Sequence, residues 1–302
     1  MKRKNIPFLI VSEGYIPRPL GRSKKGMHPE TNTLPKQHTS PFRARLLICL
    51  ITISGVLLTC NKKTSEDQPN QSVTILVAAA ASLEYAFREE LIPRFQKEYP
   101  RITVEGIYDS SGKLQVQIEQ GLQADVFMSA ATRQMDALIE KKLIDTASVY
   151  PLLENKLVLI KPVGIATIVS DFQNANQAST IALGDPASVP VGQYAQEVFI
   201  NMENWEAVSA IASFGTNVTE VLNWVAEGSA DAGVVYATDA AINKKVEIIA
   251  EAPLGSLKTK VIYPVGMISG SSHSTEARLF IDFLCSDNAL SVFTDYGFSP
   301  AK

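Results

Sequence analysis

Apolar positions along this chain switch repeatedly between a period of two and a period near 3.6. "SVTILVAAA" (72–80) is a β-branched run ending in small residues, and it predicts a strand. Directly after it, Leu83, Ala86, Phe87, Leu91 and Phe95 recur at helical spacing, with Pro93 expected to kink that helix. The switch then repeats: "RITVEGIY" (101–108) as a strand, 113–120 as a short helix, "DVFMSA" (125–130) as a strand and "TRQMDALIEKKL" (132–143) as a helix. "KLVLIK" (156–161) and "TIALGDP" (180–186) read as strands, followed by the helix "GQYAQEVFIN" (192–201). A second helix, "VTEVLNWVAEG" (218–228), sets Val218, Val221, Leu222 and Val225 on one face. "ADAGVVYA" (230–237), "KVEIIA" (245–250) and "KVIYPVGMI" (260–268) are further strands, and a helical region closes the chain at 275–293. Repeated β-α alternation implies largely parallel sheets covered by helices.

The first 71 residues do not share this pattern. Residues 1–45 mix Arg, Lys, Pro and Gly without periodicity, and "FRAR" leads into the apolar "LLICLITISGVLLT" (46–59). Fourteen residues are too few to span a bilayer comfortably and suit the core of a signal peptide. "LLTC" (57–60) resembles a bacterial lipoprotein box, so Cys60 is expected to carry lipid, although Thr59 replaces the usual Gly, Ala or Ser. Residues 60–71 then form a polar tether. The leader carries 10 Lys/Arg against 2 Asp/Glu, which leaves 18 basic and 29 acidic side chains downstream, a net charge of −11. No basic patch survives, so nucleic acid is excluded as a partner. Beyond Cys60 the only cysteine is Cys285, and the three histidines are scattered, so a disulfide or a Cys/His metal centre is not expected.

Candidate chemistry sits where strands give way to helices. Small or hydroxyl residues mark four such junctions: "AAAASLEYAF" (78–87), "YDSSGKLQVQI" (108–118), "GDPASVPVGQYAQE" (184–197) and "FGTNVTEVL" (214–222). Ligands of α/β sheets bind beyond the carboxyl ends of strands. Helix N-termini there offer unpaired N–H groups and a partial positive charge, which together favour an anion. Ser82 and Ser111 can each cap a helix or turn a hydroxyl toward a ligand.

Five segments carry a family resemblance. "AAASL" (79–83), "SSGKL" (110–114), "ADVFMSA" (124–130), "GDPASVPVGQYA" (184–195) and "GVVYATDA" (233–240) resemble, in order across residues 73–298, the molybdate-binding components of bacterial ABC importers. The resemblance implies a type II-like periplasmic-binding-protein fold, α/β, with two lobes of mostly parallel sheet and the ligand in the cleft between them. The expected lobes are 72–153 plus 239–302, and 154–238, with crossings near "LLENK" and "VVYATDA". Matched motif to motif, the implied ligand contacts are the hydroxyls of Ser82, Ser111 and Tyr236 and the backbone N–H groups of Val191 and Val218. The implied ligand is molybdate or tungstate, with no cofactor. The implied setting is a monomer outside the cytoplasm, lipid-anchored and served by a membrane permease. Asp109 is expected to turn away from the anion or to pair with Lys113.

Two alternatives remain. The same fold could take another oxyanion, such as sulfate. A serine hydrolase of the penicillin-binding type is suggested by S-x-x-K at Ser110–Lys113, "SDN" at 286–288 and "KTK" at 258–260. The second and third motifs occur in reversed order, and the glycine of K-T-G is missing. A binding protein rather than an enzyme is therefore expected. No histidine belongs to the proposed contacts, so affinity is expected to be nearly flat from about pH 6 to 8.

Overall fold

The computed structural model describes residues 72–301. The leader (1–59), the tether and the proposed lipid site at Cys60 lie outside the described residues. β1 (Val73–Ala80) runs into one continuous helical stretch: a 3-10 turn (Ala81–Leu83), α1 (Glu84–Ala86), a π turn (Phe87–Leu91) and α2 (Ile92–Glu98). The wide π turn is the form the Pro93 irregularity takes, because proline lacks an N–H and its ring crowds the carbonyl one turn back. Next come β2 (Ile102–Asp109), α3 (Ser111–Glu119), β3 (Val126–Met128), α4 (Thr132–Glu140) and β4 (Ile144–Asn155). A second series follows: β5 (Leu157–Pro162), β6 (Ile181–Gly184), α5 (Pro190–Asn201), α6 (Trp205–Ser209), β7 (Ala212–Gly215), α7 (Val218–Ala226), β8 (Ala232–Tyr236), α8 (Ala237–Ile242) and β9 (Val246–Glu251). The chain ends with β10 (Val261–Ile268), α9 (Ser274–Leu284), α10 (Asp287–Asp295) and the short β11 (Ser299–Pro300).

These strands form two sheets, one per lobe, in the orders β11-β4-β10-β3-β1-β2 and β7-β6-β8-β5-β9. Each is more mixed than the alternation suggested. β2-β1-β3 and β7-β6-β8 are parallel blocks, whereas β10 runs antiparallel to β3 and β4, and β5 antiparallel to β8 and β9. The reversed strands are those that begin or follow a passage between lobes, so they enter their sheets from the opposite end. The first passage is the single residue Lys156, between β4 and β5, close to where it was expected. The second differs. "KVEIIA" was assigned to the first lobe, but β9 pairs with β5 in the second sheet, so the return lies between Glu251 and Val261. Asp239 and α8 accordingly stay with the second lobe. β4 was not foreseen as a strand; Pro151 and two register irregularities against β10 break its alternation.

Each lobe has its own packing. Phe95 and Phe280 meet edge to face at 4.9 Å beneath the first sheet, with Phe87 and Phe293 beside them. In the second lobe Phe172 packs on Phe199, and β8 is buried along its whole length. α5 is seated closely on β6 through Gly192, where an added Cβ would fall on the Gly184 carbonyl oxygen. Backbone cannot yield there as a side chain could. Gly192→Ala is expected to destabilise the protein by about 1–3 kcal/mol, as overpacking does, measured by equilibrium chemical denaturation.

Candidate functional site: an interlobe cavity built from helix starts

Both parallel blocks point their carboxyl ends at the same cleft, and the helices that follow begin there. The serine pair of "SSGKL" divides the work. Ser110 is the N-cap of α3, its hydroxyl accepting from the Lys113 N–H at 3.4 Å. That frees Ser111, whose Oγ accepts from the Ala130 N–H at 3.0 Å and keeps its own hydrogen for another partner. α7 is capped by Asn217, whose Oδ1 accepts from the Glu220 N–H at 2.9 Å. α5 begins at Pro190, where the missing N–H would have had no intrahelical partner anyway. The first N–H groups of these helices, among them those of Ser111, Val191 and Val218, have no acceptor within their own helices.

One small cavity gathers these groups. Ser82, Ser111, Val191, Val218 and Tyr236 all line it, with Ala81, Asp109 and Ala130 around them. All five proposed contact residues are thus together, each at most 9% exposed. No Lys, Arg or His lines the cavity. The Tyr236 hydroxyl is buried and finds no hydrogen-bond partner. Burial also raises its pKa well above the ordinary tyrosine value, with Tyr263, Tyr194 and Asp239 adding to the effect, so it is a proton-bearing donor. A buried polar atom without a partner is rare and calls for an explanation.

The lobes are drawn together over this cavity. The Gly112 N–H donates to the Ser188 carbonyl across the cleft at 3.0 Å. Gln134 donates to Gln193 at 3.1 Å, and Asn217 to Asp109 at 3.4 Å. Asp109 does pair with Lys113, at 3.3 Å, and the same Oδ1 accepts from the Ser110 N–H at 2.7 Å. The space left inside is about 10 Å³, about what one water requires.

The hydrolase motifs have local structural uses. Lys113 is taken by Asp109 and Ser110 caps its helix, while Ser286 caps α10 by accepting from the Ala289 N–H. Among the described residues there is no cluster of three or more metal-ligating side chains.

Residues 75–299 match the family described as bacterial extracellular solute-binding protein. The chain belongs to that family. Its members are binding components of transport rather than enzymes, and they work outside the cytoplasm. YvgL of Bacillus subtilis (strain 168), whose provisional name is that of an ABC transporter substrate-binding lipoprotein, is 36% identical over 84% of this chain and 97% of its own. The molybdate-binding protein ModA of Haemophilus influenzae (strain ATCC 51907 / DSM 11121 / KW20 / Rd) is also 36% identical, over 76% of this chain and 91% of its own. The periplasmic molybdate-binding protein of Azotobacter vinelandii superposes with a TM-score of 0.66 at 20% identity, over 76% of this chain and all of its own, a likeness of fold.

Sequence reasoning missed the groups behind the cavity in this solute-binding protein. Tyr263 lies in a run that reads as an ordinary core strand, and Asn155 ends a strand that was not recognised. Asp239 is fully buried beside Tyr236, accepting its N–H at 3.2 Å, and burial raises its carboxyl from 3.8 to about 7. A carboxyl raised in the folded state binds its proton more tightly there than in the unfolded chain. Stability is therefore greatest at low pH and is lost as pH rises from about 4 through about 7, by up to about 4 kcal/mol at 1.36 kcal/mol per unit. Asp239→Asn keeps an acceptor for the Tyr236 N–H and removes the charge. It is expected to raise unfolding free energy at pH 8 by about 2–4 kcal/mol and to flatten the slope between pH 5 and 8. Urea denaturation across that range checks it, and an unchanged slope would remove Asp239 from this role.

Proposed function

We propose that this protein captures molybdate, or the isostructural tungstate, and delivers it to an ABC import permease in the membrane. The observation that carries the reading is the donor character of the cavity. A doubly charged oxyanion needs several convergent hydrogen-bond donors, since burying it uncompensated would cost tens of kcal/mol. Ser82, Ser111, Tyr236, Val191 and Val218 line the cavity, and in this reading the three hydroxyls and the two backbone N–H groups supply those donors. The unpartnered Tyr236 hydroxyl then gains an anion oxygen as its missing acceptor. Relatives named as molybdate-binding, at 36% identity over most of the chain, support the choice of anion. The lipoprotein name of YvgL supports a lipid anchor at Cys60.

A panel of oxyanions in a thermal-shift assay tests the ligand: molybdate and tungstate are expected to raise the melting temperature, and sulfate and phosphate to do so far less. A shift with sulfate alone would reassign the site. In titration calorimetry Ser111→Ala and Ser82→Ala are each expected to weaken molybdate binding by about 1.5–3 kcal/mol, the range for hydrogen bonds to charged groups. Val218→Ala is expected to matter much less, because its contact is backbone, and the assigned roles fail if it is the most damaging of the three.

Closure can be tested separately from the contacts. A Cβ at Gly112 would fall on the Ser188 carbonyl across the cleft, so Gly112→Ala should block full closure while leaving each lobe folded. Small-angle scattering with saturating molybdate is expected to show compaction in the wild type and little in the variant. Equal compaction would place closure elsewhere.

A further inference from the structure

Tyr263 does not line the cavity, yet its hydroxyl lies 2.9 Å from the Oγ of Ser82, which does. Either atom could donate by distance alone. The groups behind Tyr263 decide the direction. The Lys156 N–H donates to the Oδ1 of Asn155 at 2.8 Å, which fixes the orientation of that amide. Its Nδ2 therefore faces inward, donating to the Thr238 hydroxyl at 3.0 Å and to the Tyr263 hydroxyl at 3.3 Å. Tyr263 thus accepts from Asn155 and holds a single hydrogen to give. Tyr263 is fully buried; the Tyr236 ring packs beside it at 5.6 Å but the Tyr236 hydroxyl has no partner within hydrogen-bond geometry, so the one remaining partner of Tyr263 is Ser82. If Ser82 donated to Tyr263, the phenolic hydrogen of this fully buried side chain would have no acceptor within reach, at the full cost of desolvation. With Tyr263 donating instead, both Nδ2 hydrogens of Asn155 and the phenolic hydrogen have acceptors, and the Ser82 hydrogen is left free. Ser82 lines the cavity, so its hydrogen is available to a ligand there.

We propose that Tyr263, oriented by Asn155, is a positioning residue that donates to Ser82 and so keeps the Ser82 hydrogen free for a bound oxyanion. The inference rests on the oxyanion reading above and deepens it. With one lone pair of Ser82 occupied by Tyr263 and its hydrogen free for the ligand, the relay biases the site toward fully deprotonated oxyanions over protonated ones such as hydrogen phosphate. The row also spans both lobes, since Asn155 and Tyr263 belong to the first sheet and Thr238 follows β8 of the second. The polarity of Ser82 is thereby fixed beside the chain passage at Lys156.

A double-mutant cycle on the full chain tests the relay, using calorimetry with molybdate and competition with phosphate at pH 6. Tyr263→Phe preserves the ring and removes the donor. It is expected to weaken molybdate about tenfold, the worth of one oriented hydrogen bond, while phosphate binding holds or improves. In a Ser82→Ala background the same change should have almost no further effect, because its influence passes through Ser82. A merely structural role would weaken both anions in parallel and would add to the Ser82→Ala loss; either result overturns the relay. If Tyr263→Phe fails to fold, Asn155→Ala runs the same cycle, since it frees Tyr263 to accept from Ser82. Wild-type protein that binds no molybdate would overturn the proposed function together with the relay, whereas wild-type binding with an additive cycle would overturn the relay alone.

Discussion

Backbone N–H groups at the start of a helix cannot be satisfied from within that helix, and this shortage organises the molecule. In most proteins water or a capping side chain makes up the difference. Here α3 and α7 carry caps, from Ser110 and Asn217, but the caps account for only part of the deficit. The first residues of α3, α5 and α7, from both lobes, line one cavity, and no Lys, Arg or His is among its lining residues. Everything else about the cleft follows from that arrangement. The parallel blocks of the two sheets aim helix starts at each other, glycine backbone allows them to approach, and the serine and tyrosine hydroxyls add donors where no N–H reaches.

A cavity of neutral donors also explains where the charges are. Asp109 lies at the lining, where a free carboxylate would repel an anion, yet its Oδ1 takes hydrogen bonds from the Ser110 N–H, Lys113 and Asn217. The ion pair is partly exposed, so its own contribution to stability is small. Its value is local: it neutralises the rim and joins it to the opposite lobe through Asn217.

Much of this was legible in the sequence because the signals are local. A β-branched run, small residues and a helical period identify each strand-to-helix junction, and the junctions carry the ligand-facing groups. The division of labour between Ser110 and Ser111 was less legible, since either serine could cap α3; only the position of Ala130, brought in by β3, decides which hydroxyl remains free. Tyr263 and Asn155 left no signal at all. Tyr263 sits in a strand that looks like core and Asn155 ends one that the pattern does not show, and the row forms only through pairings of Tyr263 with Ser82 and Asn155 that span 181 and 108 residues. The lobe boundary at β9 was misplaced for a similar reason. "KVEIIA" gives the period of a strand but says nothing about which sheet accepts it.

The order of the strands bears on how the chain matures during synthesis. The second sheet is encoded without interruption, from β5 to β9, so that lobe can assemble as soon as it has emerged. The first lobe must wait. β10 lies between β3 and β4, and it is made after the whole of the other lobe. Until then β3 and β4 each present a bare edge with unpaired peptide groups, the kind of surface that recruits other chains. Loss of the last forty or so residues, which removes β10, would therefore leave the first sheet split at its centre. A nascent chain stalled at that point would carry a finished second lobe beside an open, aggregation-prone template.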